Sequence, residues 1–244
     1  MSASRNATVN TSAKPTAPDL SWRGVYKAGG ICLLVAGLAI VAVAFLSIVI
    51  GPPPSGTEAY LQALAGHAVM AGINFGLFAL ADVMLLLGAI ALYLSLRQVD
   101  KNAMLVATAL LALFVVMDLA VTEVNSLTLV AITAHYGAAA TEAARSTSIA
   151  AADYALATLP IGTFLSYFVS SVGLLIVSIV MLRGVFSRPT ALAGIFASVA
   201  GILGGFYPIL PPLAILLTPS LIAFGLWSLL AGLRLYQLGR LPSG

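Results

Sequence analysis

A chain of 244 residues in which 61% of the side chains are hydrophobic and only 8% are charged is not a water-soluble globular domain, where roughly a quarter of residues carry charge. Its net charge of +3 comes from eleven Lys and Arg scattered singly between apolar runs, which excludes the basic patch of a nucleic-acid binder. The single cysteine, Cys32, excludes a disulfide framework and every cysteine-rich metal pattern.

Residues 1–21 are rich in Ser, Thr, Ala, Pro and Asn. Such a segment cannot bury enough surface to offset the entropy of ordering, so a disordered cytoplasmic tail is predicted there. Residues 22–240 then form the membrane domain, and residues 241–244 a second short tail. The first apolar run, Val25 to Ile50, is long enough to span and lacks the short core and small-x-small site of a cleaved leader, so it is predicted to be a retained helix. The second span runs from about Ala68 to Leu96. The amphipathic stretch TEAYLQALAGH before it either lies at the interface or extends the helix. After the polar turn RQVDKN, a third span runs from near Ala103 to about Ala134, and HYGAAATEAARSTS reads as a hydrophilic connection. Residues 149–159 are helix-prone, and Pro160 permits a kink or a break before the fourth span, Ile161 to Leu182. The fifth span is predicted over Thr190 to Leu210, and the sixth over Leu213 to Leu238 with Pro219 as a mid-helix kink. The fold class is therefore all-α, a polytopic bundle of six transmembrane helices.

Lys and Arg near span ends set orientation. Arg5, Lys14, Arg23, Lys27, Arg97, Lys101, Arg183, Arg188, Arg234 and Arg240 fall on one side, and Arg145 alone on the other. This asymmetry predicts a multi-pass protein of the cytoplasmic (inner) membrane with both termini in the cytoplasm.

The segments LYLSLRQVDKNAMLVATALLAL and LRGVFSRPTALAGIFASVAGILG resemble a bacterial family of six-helix integral membrane proteins catalogued only as a domain of unknown function. The resemblance covers about residues 25–238 and implies a fold and a location, and no reaction. The two segments also echo each other, with Leu96-Arg97-Gln98-Val99 matching Leu182-Arg183-Gly184-Val185. A duplicated hairpin accounts for the echo, and so does the selection of Arg at cytoplasmic turns.

Ionisable residues inside a bilayer cost about 2.5–3.5 kcal/mol each at its centre on insertion scales and must face protein or water. Asp82 lies about 22 Å along its helix from Arg97, and Asp118 about 25 Å from Lys101. The two carboxyls thus share a depth on neighbouring helices and suit a proton-sharing pair, although packing alone also accounts for them. On an α-helix Asp118, Thr122 and Asn125 share one face, while Glu123 points about 140° away from Asp118. Glu123 is expected at the outer headgroup level. Asn74 on the second span and Tyr167 and Ser170 in a hydroxyl stripe on the fourth (Thr163, Tyr167, Ser170, Ser171, Ser178) complete the candidate polar pocket, with interhelical hydrogen bonding as the plainer role of the stripe.

His67 and His135, with Glu58, Glu142 and Asp153, are weak candidates for a metal site at the outer ends, and no HxxxH or HExxH pair supports them. No residue pattern calls for a cofactor. The absence of Lys beyond residue 101 excludes a late-helix retinal Schiff base, and GxGxxG, GxxxxGK[ST] and GxSxG are missing. Ala68, Gly72 and Gly76, and Ala193, Ala197, Gly201 and Gly205, recur every four residues and predict close-packing faces.

The reading is a six-helix protein with an outward-facing polar pocket between the second, third and fourth spans, binding or passing a small or lipophilic solute, with a proton-linked role for its carboxyls. Its partners are the bilayer, a small-molecule or lipid ligand, and either another membrane protein or a second copy of the chain; nucleic acid is excluded. The alternatives are an accessory or scaffold subunit without its own ligand, and a membrane enzyme using the same carboxylates.

Overall fold

The computed structural model describes residues 19–51 and 54–241. The tail expected at residues 1–21 lies outside the described residues up to residue 18, and so do residues 242–244. The elements in chain order are α1 (Arg23–Ile50), α2 (Thr57–Gly66), α3 (Ala68–Leu96), α4 (Lys101–Met117), a π-helical turn (Asp118–Glu123), α5 (Val124–Ala138), α6 (Glu142–Met181), α7 (Arg188–Gly205), a 3-10 segment (Pro211–Leu216) and α8 (Leu217–Leu238). No strand occurs among the described residues. Six helices are long and apolar enough to cross a membrane, with α4, the π turn and α5 forming the third and the 3-10 segment joined to α8 forming the sixth. The chain is a multi-pass membrane protein of the all-α class.

Local chemistry explains where these helices start. Asp100 caps α4 by accepting a hydrogen bond from the Ala103 amide at 2.9 Å, and Thr141 caps α6 through the Ala144 amide at 3.2 Å. Ser187 does the same for α7 ahead of Pro189, whose missing N–H falls in the first turn. Two sequence expectations fail for related reasons. The connection predicted over residues 135–148 is mostly helix, because its alanines favour helix and Thr141 caps it, leaving a turn between Ala138 and Glu142. Pro219 is not mid-helix: it lies in the first turn of α8, where no intrahelical partner awaits its absent N–H. Pro160, by contrast, sits inside the continuous 40-residue α6. At about 1.5 Å per residue, that helix exceeds the ~30 Å hydrocarbon thickness and must project beyond it.

The six spans close into a ring in chain order. α1 packs on α3 and α8, α8 on α7, α7 on α6, and α6 on α4 and α5, with α3 meeting the third span to complete the circle. The contact surfaces are small and the outer surfaces large. α7 buries Gly194, Ala197, Ser198, Ala200, Gly201, Gly204 and Gly205, whereas Leu38, Phe45, Ile48, Val116 and Ile161 are more than 60% exposed. That inversion belongs to a lipid-facing surface, where hydrophobicity does not drive helices together and close backbone packing does. The closest approach of a glycine to the backbone of a neighbouring helix is between α1 and α8. A Cβ added at Gly30 would lie 2.6 Å from the Tyr236 amide nitrogen, and one at Gly232 would lie 2.8 Å from the Gly30 carbonyl oxygen. The face predicted at Ala68, Gly72 and Gly76 does not pack within the molecule, since nothing lies within 4 Å of a Cβ at either glycine. α3 instead turns Ala71, Asn74, Ala81 and Asp82 inward.

Charge separates the two ends of the ring. Arg23, Lys27, Arg97, Lys101, Arg183, Arg188, Arg234 and Arg240 gather at one end of the spans, and Glu58, Glu142, Arg145 and Asp153 at the other. At the acidic end α2 packs on α5 and α6, burying Leu61, Leu64, Leu129 and Ala152 in a small separate core. At the basic end the two echoing turns touch, because a Cβ at Gly184 would lie 2.6 Å from Leu96. Asp19 accepts hydrogen bonds from Ser21 Oγ at 2.7 Å and from the Ser21 amide at 3.1 Å. It also pairs with Arg97 at 3.5 Å, whose guanidinium lies 5.7 Å from the Trp22 ring centre. The Ser21 hydrogen bonds first, and then the Arg97 charge, hold the Asp19 carboxyl below its usual value. A depressed value makes this contribution present above about pH 4 and lost as pH falls through the folded value. Because the pair is partly exposed to solvent, acidification or Asp19→Asn is expected to change Trp22 emission while leaving the melting temperature nearly unmoved.

Candidate functional site

A cavity of about 70 Å³ lies at mid-bundle. Its wall draws on all six spans rather than on the second, third and fourth alone: Ile40 comes from α1, Ala197 from α7, and Ser220, Leu221 and Phe224 from α8. Ring closure is the reason, since each span turns one face to the common axis. Of the predicted residues, Asp82, Asp118, Tyr167 and Ser170 line this cavity. Asp82 is 4% and Asp118 8% exposed. Asp118 is the dominant charge neighbour of Asp82, with Glu123 next. Asp82 Oδ2 is buried without a hydrogen-bond partner.

The π turn rearranges the third span. On a regular α-helix residues 118 and 123 diverge, but a π turn closes every fifth residue and returns Glu123 to the face of Asp118. The burial pattern records the extra residue. Leu111, Phe114, Val115 and Asp118 are buried at steps of one to four, Glu123 follows after five, and Ser126, Leu129 and Thr133 resume the α-helical steps. Glu123 is buried within the bundle: it is 4% exposed, and its Oε2 has no partner. The same extra residue breaks the predicted face of Asp118, Thr122 and Asn125. Asn125 instead donates to Thr158 Oγ1 on α6 at 3.2 Å. Thr122 sits beside Gly162 with its hydroxyl unpartnered. One sequence signal pointed this way: two acids five residues apart in an apolar helix share an interior face only through a π turn.

Asn74 lies outside the central cavity, in a groove of about 320 Å³ at the acidic end that also includes Tyr60 and His67. Asn74, Phe78 and Asp82 follow one another at four-residue spacing on α3, so Phe78, which lines the cavity, stands one turn from each. Toward the basic end the polar line continues. A Cβ at Gly201 would meet both Ser171 Oγ and Ser220 Oγ, and one at Gly194 would meet Ser178 Oγ and Trp227 Nε1. Ser220 donates to the Ala197 carbonyl at 2.8 Å and Ser198 to the Gly194 carbonyl at 2.6 Å. Ser178 Oγ, Trp227 Nε1 and Ser228 Oγ are buried without partners. Sequence reasoning missed Ser220 and the aromatic wall of Phe78, Phe114 and Phe224, because Ser and Phe are common throughout membrane helices.

The histidines do not form a metal centre. Among the described residues no three His, Cys, Asp or Glu come together in a geometry that could hold an ion. His67 Nδ1 faces the Ala63 carbonyl at 3.2 Å, Tyr136 donates to Glu58 at 2.6 Å, and Thr57 donates to Asp153. His135 is exposed at the end of α5. His67, Glu58 and Asp153 are thus each drawn to a separate partner. The chain matches no protein-family profile, no curated protein and no solved structure.

Proposed function

We propose that this membrane protein binds or passes a small solute through the central cavity, with proton exchange on Asp82 and Asp118, and that it lies in a bacterial cytoplasmic membrane with both termini on the cytoplasmic side. The observation that carries the first part is the cavity itself: six spans converge on a space that holds two buried carboxyls, one with an oxygen lacking any partner. A scaffold has no use for such a cost, because a charge at mid-membrane without compensation is unfavourable by a few kcal/mol. The unpartnered polar atoms from Asn74 and Glu123 at one side to Ser178 and Ser228 at the other support a hydrated route. Gathering of the basic side chains at one end of the spans supports this orientation.

Coupling of the carboxyls is testable by infrared titration of the C=O stretching band. Glu123→Gln serves as the background, since Glu123, Tyr167 and Tyr207 are the other titratable groups at the site. Asp118→Asn is expected to alter the carboxyl titration of Asp82. Independent titrations would remove the proton-linked reading. For orientation, reporters fused at residues 98, 186 and 242 are expected to give cytoplasmic signals, and those at 56 and 140 external ones. A cytoplasmic signal at 140 would sink this topology.

One observation favours a second reading, an accessory subunit. Gly72 and Gly76 face outward with open space beyond them, as a helix-docking face for another membrane protein would.

A further inference from the structure

The chemistry of the cavity wall points to the class of solute. The wall holds two carboxyl groups, those of Asp82 and Asp118, and no Lys, Arg or His lines it among the described residues. An anion would meet repulsion from Asp82 and Asp118 with no counter-charge, so a carboxylate or phosphate solute is disfavoured. The rest of the wall is not that of an inorganic cation site. Hard ions take six or more oxygen ligands, whereas Phe78, Phe114 and Phe224 bring aromatic faces and Ile40, Leu174 and Leu221 aliphatic ones. Aromatic rings attract an alkylammonium through their quadrupoles and also accept its apolar groups. A carboxylate takes the N–H donors of such a cation in charge-assisted hydrogen bonds. Asp82, 4% exposed and with Oδ2 unpartnered, is the acceptor that such a donor would satisfy. We infer that the central cavity is a site for a small organic ammonium ion, held by Asp82 and Asp118 and enclosed by Phe78, Phe114, Tyr167 and Phe224. The volume of about 70 Å³ restricts the ion to a few heavy atoms, since an engineered cavity of about 150 Å³ is what benzene requires.

This inference rests on the reading of the cavity as a solute site, and the two can fail separately. The protein carries its own reporter. Of its two tryptophans, Trp227 stacks on the cavity residue Phe224 with ring centres 5.8 Å apart, and Trp22 lies at the far basic end. In full-length Trp22→Phe protein, Trp227 emission is followed during titration with ethylammonium, ethanol, acetate and sodium, the salts being ethylammonium chloride, sodium acetate and sodium chloride. Ethylammonium is expected to shift the emission saturably. Asp82→Asn and Asp118→Asn are each expected to weaken that binding by about tenfold or more, the loss of one charge-assisted contact, and Phe114→Leu by severalfold. If one Asn variant does not fold, the other carries the comparison. Ethanol acting as strongly as ethylammonium and ignoring Asp82→Asn would overturn the ammonium proposal and leave an apolar solute cavity. Sodium chloride producing the same saturable shift would overturn it in favour of an inorganic ion. Silence toward ethylammonium with coupled carboxyl titration would overturn it alone; silence toward all probes with independent titration would remove both readings.

Discussion

Asp82→Asn and Asp118→Asn are expected to yield folded, inserted protein that melts no lower than wild type, with solute binding weakened by about tenfold or more and any associated flux lost. Asparagine keeps the size of the side chain and its hydrogen-bonding capacity, and removes only the exchangeable proton and the charge. Asp82 Oδ2 has no partner, so no hydrogen bond to that oxygen is lost. The regular helical spacing of Asp118, Thr122 and Asn125 predicts that leucine at 118 would strand two polar partners. The π turn removes Asn125 from that set, since it bonds Thr158 instead, and leaves the fourth-span residues Tyr167 and Ser170 in the wall with Asp118. Asp82→Leu is therefore expected to fold too, with melting at or above wild type, because exchanging a buried ionisable group for an apolar one of similar size is often neutral or stabilising. The measurements are thermal melting in detergent and solute binding by Trp227 emission, run on the same preparations. Asn variants that keep full binding would demote both carboxyls to packing. Asn and Leu variants that both misfold would make the cavity a structural network and favour the accessory-subunit reading.

Substitutions at the α1–α8 contact are expected to have the largest effect on stability. Gly30 and Gly232 face each other so closely that a side chain at either meets backbone rather than a movable side-chain end: the Gly232 carbonyl oxygen lies 2.8 Å from a Cβ at Gly30, and the Leu34 amide nitrogen 2.9 Å from one at Gly232. Backbone cannot rotate aside, so the helices must separate. Gly232→Ala is expected to cost about 1–3 kcal/mol, the usual penalty of overpacking, and Gly232→Leu is expected to prevent closure of the ring. Gly72→Ala is the internal control. With nothing within 4 Å of its Cβ, it is expected to be neutral or to stabilise by about 0.5–1 kcal/mol through helix propensity. Melting temperature and size-exclusion profile of the three variants test this ordering. A Gly232→Leu protein as stable as Gly72→Ala would show that the two helices do not pack through these glycines.

What the sequence determined by itself were the quantities that are local and additive along a chain. Apolar run length sets the number of spans, since each must cover a hydrocarbon layer of roughly 30 Å. Single Lys and Arg at alternating turns define which ends lie together, and distance along a helix from those charges places Asp82 and Asp118 at one depth. Which face of each helix turns inward was not legible, and the reason is physical. In water a helix marks its buried face by being more apolar there, whereas in lipid both faces are apolar and the buried one is distinguished only by small residues and close backbone approach. The four-residue repeat of Ala68, Gly72 and Gly76 therefore looked like a packing face, and no helix of this chain packs on it. Gly30, Gly37, Gly225 and Gly232, spaced by seven, are such a face. Tertiary structure alone decided that α1, α7 and α8 bring Ile40, Ala197, Ser220 and Phe224 to the cavity. It alone also turned Glu123 inward, because a π turn inserts one residue into the helical count and so redirects every side chain beyond it.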